Sequence, residues 1–191
     1  MKKLAALLLA GGASTRMGQP KAFLPYQGMP LWKHQMKTLL ALEPSELFIS
    51  AARQIDFGTG PWKTLYDREP GLGPLAGLEA ALKETAAGHL LVLAVDMPGF
   101  TADFFRVLLD EADESGIVAK IDGFYQGTAA IYTKSILPMV EVVLASEDRS
   151  FQHLAGHAIA AGLLKVHHAT EQERPFFQNL NTPSDLAKGP V

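Results

Sequence analysis

"MKKLAALLLAGGASTRMGQPK", residues 1–21, admits two incompatible readings. Two lysines, a short apolar run and an Ala-Gly-Gly-Ala patch match a secretory signal with its cleavage site. The same letters match a buried first strand, Leu4 to Ala10, stopped by Gly11-Gly12 and followed by a glycine-rich loop carrying Arg16 and Lys21. A continuous apolar run halted by glycine is what a parallel strand buried on both faces requires. The apolar run holds only about seven residues, the lower limit for a signal. Removing residues 1–13 would delete the strand and half of the loop, leaving Arg16-Met17-Gly18 without support. The strand reading prevails, and with it the expectation of a cytoplasmic enzyme.

The rest of the composition narrows what that loop can serve. The chain has 191 residues, enough for one domain over 1–191 with a core of several strands flanked by helices. Hydrophobic residues make up 48% and charged residues 19%, which excludes a disordered chain. No apolar run approaches the roughly 20 residues that span a bilayer, so no membrane partner is expected. The net charge of −3 gives no basic field for nucleic acid, and an anionic ligand must be held by a local cluster of cations. With no cysteine there is no disulfide framework, zinc knuckle or thiol nucleophile.

Along the chain, Leu31 to Leu42 shows helical spacing after Pro30, and Leu47–Ser50 and Thr64–Tyr66 read as strands. Leu75 to Ala87 reads as a helix ended by Gly88. His89 to Val95 is the most hydrophobic strand and ends in Asp96-Met97-Pro98. Thr101 caps a helix running to about Ser115, with Asp103 in its first turn. Strands near Gly116–Ile121 and Thr128–Tyr132 bracket a glycine-containing turn. Helices start near Ser135 and Ser150, a strand follows around Leu163–His167, and Asn179-Leu180-Asn181-Thr182-Pro183 opens the last segment. This alternation describes an α/β protein, a Rossmann-like three-layer sandwich with a mostly parallel sheet. Ligands of such sheets bind beyond the carboxyl ends of the strands, where Gly11–Lys21, Ser50–Arg53, Asp67–Gly73 and Asp96–Pro98 fall.

Gly11, Gly12 and Gly18 let several backbone N–H groups face one anion, and Arg16 and Lys21 add two cations, a cradle suited to a triphosphate. It is neither a Gly-Lys-Ser/Thr loop nor a Gly-x-Gly-x-x-Gly loop, and a plain connecting loop is the alternative. Asp96 suits Mg²⁺, which takes one or two protein carboxylates together with phosphate oxygens and water; a turn or cap residue is the competing role. His153 and His157 share a helix face without the glutamate of a zinc-protease helix, so packing or surface exposure is expected of them. His167-His168 either touches a ligand or covers the sheet. Trp32 and Trp62 read as packing residues. No nucleophile with its base stands out. A phosphate nucleophile is already anionic at neutral pH and needs none, which leaves alignment and charge neutralisation as the catalytic task.

"LLLAGGASTRMGQPKAFL" resembles the signature loop of the molybdenum cofactor guanylyltransferases, the MobA family, which follow Leu-Ala-Gly-Gly with Arg-Met-Gly and then a lysine. "GPLAGL" at 73–78, "DMP" at 96–98 and "NLNTPSDL" at 179–186 match later blocks in the same order. The resemblance spans nearly the whole chain. It implies a nucleotide-diphospho-sugar transferase-like fold and transfer of GMP from GTP to the terminal phosphate of molybdopterin, with Mg²⁺ as cofactor and pyrophosphate released. Carried over by position, it implies Leu9, Ala10 and Gly11 at the guanine and ribose, with Gly12 beside them. Lys21 falls at the phosphates with Arg16 in the same loop, Ser50 and Asp67 beside the nucleotide, Asp96 on the metal, and Asn179 and Asn181 on the pterin side. Arg16, Lys21 and Asp96 form the implied catalytic set. Transient contact with molybdopterin insertion or molybdoenzyme maturation proteins is a further implied partnership.

Three departures mark this chain. Ser50 stands where the family has asparagine, Gln126-Gly127-Thr128 replaces a His-Pro-Thr-like element, and Asp148-Arg149-Ser150 only briefly resembles a family loop. The rival readings are a molybdopterin cytidylyltransferase, a sugar-nucleotide pyrophosphorylase of similar fold, and a catalytically silent GTP- or cofactor-binding adaptor. Gly11-Gly12 resembles the guanylyl branch, since the cytidylyl branch tends to Ala-Ala-Gly. Arg16, Lys21 and Asp96 together argue against a silent binder.

Overall fold

The apolar run of the first stretch is strand β1, Leu4–Leu9, and it lies inside a seven-stranded sheet. The computed structural model describes residues 3–11, 20–51, 55–66 and 72–180. On one side β1 pairs in parallel with β4 (Glu46–Ala51), which pairs with β5 (Lys63–Tyr66). On the other it pairs in parallel with β6 (His89–Ala94). A two-stranded ribbon, β2 (Pro25–Tyr26) and β3 (Met29–Pro30), sits between β1 and the first helix. The sheet continues through β8 (Phe124–Thr133) and β7 (Gly116–Ile121) to β9 (Leu164–His168), giving the order β5-β4-β1-β6-β8-β7-β9. Only β8 runs against the others, pairing antiparallel with β6 and β7, while β9 is parallel to β7.

Alternation along the strands separates two cores. Ala6, Leu8 and Ala10 face one side, with α1 (Leu31–Leu40) and α3 (Ala102–Ala112). Ala5, Leu7 and Leu9 face the other, with α2 (Pro74–Glu84), α4 (Leu137–Ala145) and α5 (Phe151–Ala160). Period-two side chains on a sheet covered twice explain why β1 and, after His89, β6 are apolar at every position. Each leucine so buried contributes about 1.5–3 kcal/mol, and the β1–β6 pair is thereby the anchor of the sheet.

Thr101 and Ser150 cap α3 and α5, their hydroxyls accepting from the N–H of Phe104 and His153. Elsewhere the elements end differently from their sequence pattern. Helix α2 stops at Glu84, not at Gly88, because Thr85 turns extended and its hydroxyl accepts the Ala87 N–H while the Glu46 carboxylate accepts that of Ala86. Helix α1 ends two residues early, and α3 stops at Ala112, where Asp113 adopts φ 44°. Strand β8 begins at Phe124, well before Thr128. The hairpin turn is only Asp122-Gly123, both at positive φ as a two-residue turn demands. Between the pairs Val118↔Ala130 and Lys120↔Tyr125, two steps along β7 face five along β8, so Gln126–Ala129 fall out of register with β7, while Ala129 still pairs with Leu93 of β6.

Candidate functional site

Three parallel strands end side by side, since Leu9 is in register with Ser50 of β4 and with Ala94 of β6. The pairing runs one residue past the strand ends: Ala10 N–H donates to Ser50 O at 2.8 Å and Val95 N–H to Leu9 O at 3.0 Å. Leu9 and Ala10 are buried, and Gly11 is the first exposed residue of that path. The strand ends thus fix the backbone from which the glycine-rich loop and the Asp96 loop both depart.

Asp96 leaves β6 on a turn held from within by Met97 N–H on Ala94 O (3.4 Å) and Phe100 N–H on Met97 O (3.1 Å). The fully buried Met97 side chain anchors it. The carboxylate, 27% exposed, meets Lys21 Nζ at 2.9 Å, the ammonium being 18% exposed. Lys21 comes from 75 residues away in sequence. It opens the short 3₁₀ turn Lys21–Phe23, whose Ala22 is buried and whose Phe23 ring stacks on Phe57 at 5.7 Å. Trp32 crosses Phe57 edge-on at 5.4 Å and Trp62 at 5.5 Å, so both tryptophans pack beneath the lysine turn. Asp96 O in turn accepts the Leu180 N–H at 2.8 Å, which brings Asn179 and Leu180 to the same loop, Asn179 exposed.

Ser50 is 4% exposed, and its side chain lies under α2. A Cβ on Gly77 would stand 2.3 Å from Ser50 Oγ and 2.9 Å from Leu9 Cδ2, so the second glycine of "GPLAGL" is what lets α2 close on the strand ends. Gly12, Arg16, Asp67 and Asn181 lie outside the described residues. The structure therefore brings together Leu9, Ala10, Ser50, Lys21, Asp96 and the chain at Asn179.

Because β8 is antiparallel, its beginning lies at this same edge, and Thr128 Oγ1 meets Met97 Sδ at 3.6 Å. Sequence reading placed Thr128 at a strand start and could not see the loop it touches. It also passed over His34 and Gln35 of α1. Gln35 Nε2 donates to Ala94 O (3.0 Å) and Met97 O (2.8 Å), and His34 Nε2 to Pro98 O (3.3 Å). Burial depresses the His34 pKa, against the pull of the Pro98 carbonyl and with help from Lys37, so the ring is neutral at pH 7. A signal was there: Gln35 falls on the stripe of Leu31 and Leu39, where a helix packing on a sheet carries apolar residues.

His153 and His157 lie ring beside ring at 4.6 Å on α5, with Asp148 3.4 Å from His153. His167 covers the sheet end between Glu111 (3.0 Å) and Glu173 (3.3 Å). Among the described residues no cluster of three or more His, Cys, Asp or Glu forms a metal cage. One partly exposed carboxylate beside an ammonium fits a different donor set, in which a hard divalent ion takes one oxygen ligand from the protein and the rest from phosphates and water.

A mostly parallel sheet with a cation–carboxylate pair beyond its strand ends places that pair where open α/β sheets bind nucleotides, and it fits the class of nucleotidyltransferases. The comparisons agree. Residues 6–170 match the MobA-like NTP transferase domain, and the chain belongs to that family. It is 34% identical to a probable molybdenum cofactor guanylyltransferase of Deinococcus radiodurans over 98% of this chain and 94% of that one. It is likewise 34% identical to the molybdenum cofactor guanylyltransferase of Rhodobacter capsulatus, over 97% and 94%. The fold resembles the crystal structure of molybdopterin-guanine dinucleotide biosynthesis protein A from Archaeoglobus fulgidus, with a TM-score of 0.76, 20% identity and coverage of 97% and 96%. The 2-C-methyl-D-erythritol 4-phosphate cytidylyltransferase of Thermus thermophilus shares it too, with a TM-score of 0.72, 16% identity and coverage of 98% and 96%. No helix among the described residues is long and apolar enough to cross a membrane.

Proposed function

We propose that this chain transfers the GMP moiety of GTP to the terminal phosphate of molybdopterin, forming the guanine dinucleotide cofactor and releasing pyrophosphate. The observation that carries the reading is the Lys21–Asp96 pair at the carboxyl edge of the sheet, in a chain so similar throughout to guanylyltransferases. A phosphate oxygen of the acceptor attacks the α-phosphorus of GTP. The new P–O–P link forms as the bond from the α-phosphorus to the bridging oxygen breaks, and pyrophosphate leaves with that electron pair. The nucleophile is anionic at neutral pH, so no protein base removes a proton.

What the residues must supply is charge and alignment. Lys21 exchanges its contact with Asp96 for phosphate oxygens, bringing three N–H donors to the transferring group. Arg16 adds a second cation from the same loop, and the backbone N–H groups of Gly11 and Gly12 cradle the phosphates. Leu9, Ala10, Ser50 and Asp67 border the nucleoside, while Asn179 and Asn181 line the pterin side. Asp96 is the carboxylate that would hold Mg²⁺. When bound, that ion supplies further neutralisation of the phosphate oxygens and of the leaving pyrophosphate. The reaction takes place in the cytoplasm within a single domain over 1–191, and the product passes by transient contact to proteins that insert the cofactor.

The test is pyrophosphate release by the purified chain with Mg²⁺ and molybdate-loaded molybdopterin, comparing GTP, CTP and ATP. Release with GTP alone is expected. Release with CTP moves the chain to the cytidylyl branch, and nucleotide binding without release makes it a silent binder.

A further inference from the structure

Beneath the Asp96 loop lies a side chain with no part in the chemistry just described. Gln35 is 0% exposed and occupies the apolar stripe of α1, four residues from Leu31 and four from Leu39, both also fully buried. Its Nε2 reaches Ala94 O and Met97 O, the two carbonyls that bracket Val95-Asp96. Two carbonyls at one nitrogen set the orientation of the amide, because the flipped group would press oxygen against oxygen. Its Oε1 is buried with no hydrogen-bond partner.

That orphan oxygen decides what Gln35 is for. A buried acceptor left unpaired costs more than one ordinary hydrogen bond contributes. The two carbonyls do not depend on Gln35 either, since Ala94 O also accepts from Met97 N–H and Met97 O from Phe100 N–H. For stability alone an apolar side chain of the same length would serve as well. What an apolar side chain does not do is pin both ends of the turn from which Asp96 projects.

We propose that Gln35 is a positioning residue for Asp96: its amide clamps the Ala94–Met97 turn so that the carboxylate is presented in one place to Lys21 and to a nucleotide-bound divalent ion. The clamp completes a ring of ties on that turn. Val95 N–H is held by Leu9 O, Asp96 O by the Leu180 N–H, and Pro98 O by His34. Lys21, from the opposite side, holds the carboxylate itself. Among the described residues Gln35 alone grips the turn at two points with one side chain. The inference rests on the nucleotidyl-transfer reading above for its catalytic consequence, and on the geometry alone for its effect on the loop.

The test is Gln35→Met in the full chain, which fills the space and removes the donor. Expected is a melting temperature close to that of the wild type. The kcat for GMP transfer falls about tenfold or more, because small displacements of a positioned group are costly to rate, while KM for GTP stays within about twofold. In the metal-free protein, hydrogen exchange at the Leu180 and Phe100 amides accelerates by about tenfold while the amides of β1 are unchanged. Gln35→Glu regains a donor only when its carboxyl is protonated, so the protection factor at Leu180, the exchange rate of the free amide relative to that observed at the same pH, rises in that variant as the pH is lowered, a dependence the Met variant lacks. A stable Gln35→Met chain with wild-type kcat and wild-type exchange overturns the proposal. So does a loss of melting temperature with all amides accelerating together, which would make Gln35 structural only. If the wild type releases no pyrophosphate from GTP, the activity reading fails, and the local exchange data still decide whether the clamp exists.

Discussion

The four strands β5-β4-β1-β6 and the three strands β8-β7-β9 share one sheet but are held in place by different forces. In the first group every pairing is parallel, β1 and β6 are buried almost throughout, and polar function is confined to the strand ends. In the second the pairing changes direction, β8 bulges, and polar ties guide the chain. Lys165 pairs with Asp113, Arg174 with Asp122 and Glu171, and His167 lies between Glu111 and Glu173. These ties lead residues 169–180 across the aromatic cluster of Phe100, Phe104 and Phe177 and back to Asp96 through the Leu180 N–H. One half is a platform whose edge holds the Lys21–Asp96 pair, and the other is a strap that borders it. Damage at the platform edge should therefore cost rate and not fold, whereas damage in the strap should cost stability first.

Asp96→Ala is the most severe break. Turnover should fall by at least about 10³, as expected when the focus of charge stabilisation is lost, with circular dichroism and melting temperature preserved. A pyrophosphate-release assay that finds an active Asp96→Ala protein would falsify the metal role given to it. Lys21→Met comes next, with an expected loss of about 10²–10³ in kcat. Here too the melting curve should stay near that of the wild type, because the fold around Lys21 is anchored by Ala22 and Phe23.

Gly99→Ala shifts attention to the strap. A Cβ at Gly99 would stand 2.5 Å from the carbonyl oxygen of Pro175, a backbone atom that cannot swing aside. Overpacking of this kind costs about 1–3 kcal/mol, so the melting temperature should drop by several degrees with a smaller loss of kcat than at Lys21. An unchanged melting temperature would mean that residues 174–177 yield freely and do not brace the Asp96 loop.

The smallest effect is a pH dependence. Burial by itself lowers the His167 pKa, but the carboxylates of Glu111 and Glu173 outweigh it, and the net shift is upward from 6.5. A group whose pKa rises on folding binds its proton more tightly in the native state. Its contribution is thus full below about pH 6.5, the ordinary imidazole value, and fades as the pH rises through the raised native pKa. Glu173 works in the opposite sense: burial would raise its pKa, but the Thr170 N–H, His167 and the Thr170 hydroxyl lower it overall. Its contribution is lost in acid. Denaturant titrations of His167→Gln against wild type should show a larger stability difference at pH 6 than at pH 9. Equal differences at both would remove the strap's electrostatic latch.

The two halves also differ in how openly the sequence announces them. In the first, the run Leu4–Leu9 stopped by glycine and the run Leu90–Ala94 ahead of Asp96 made both central strands and the site's edge readable, because burial on two faces leaves such runs apolar throughout. Thr101 and Ser150 declared their helices through cap chemistry that spans only four successive residues. The strand β8 was legible only in its second part. Its apolar Thr128–Tyr132 stretch looks like any buried strand, whereas Phe124–Gly127 owes its place to a two-residue turn and a bulge. The end of α2 misled because Thr85 and Glu46 finish the helix where glycine seemed to, and Glu46 is a partner 40 residues before the Ala86 whose N–H it accepts.

The sequence by itself determined the elements, the cation-rich loop after the first strand, the carboxylate after the strongest one and the resemblance that spans the chain. Each is a local pattern, written in periodicity, caps and composition over a few residues. Only the tertiary structure decided that β8 inserts antiparallel between β6 and β7, that Lys21 meets Asp96, that Thr128 touches Met97, and that a glutamine on the apolar stripe of α1 grips the Asp96 turn. Those are contacts between residues tens of positions apart, and their pairing is chosen by which apolar faces can be buried together, a choice no local pattern contains.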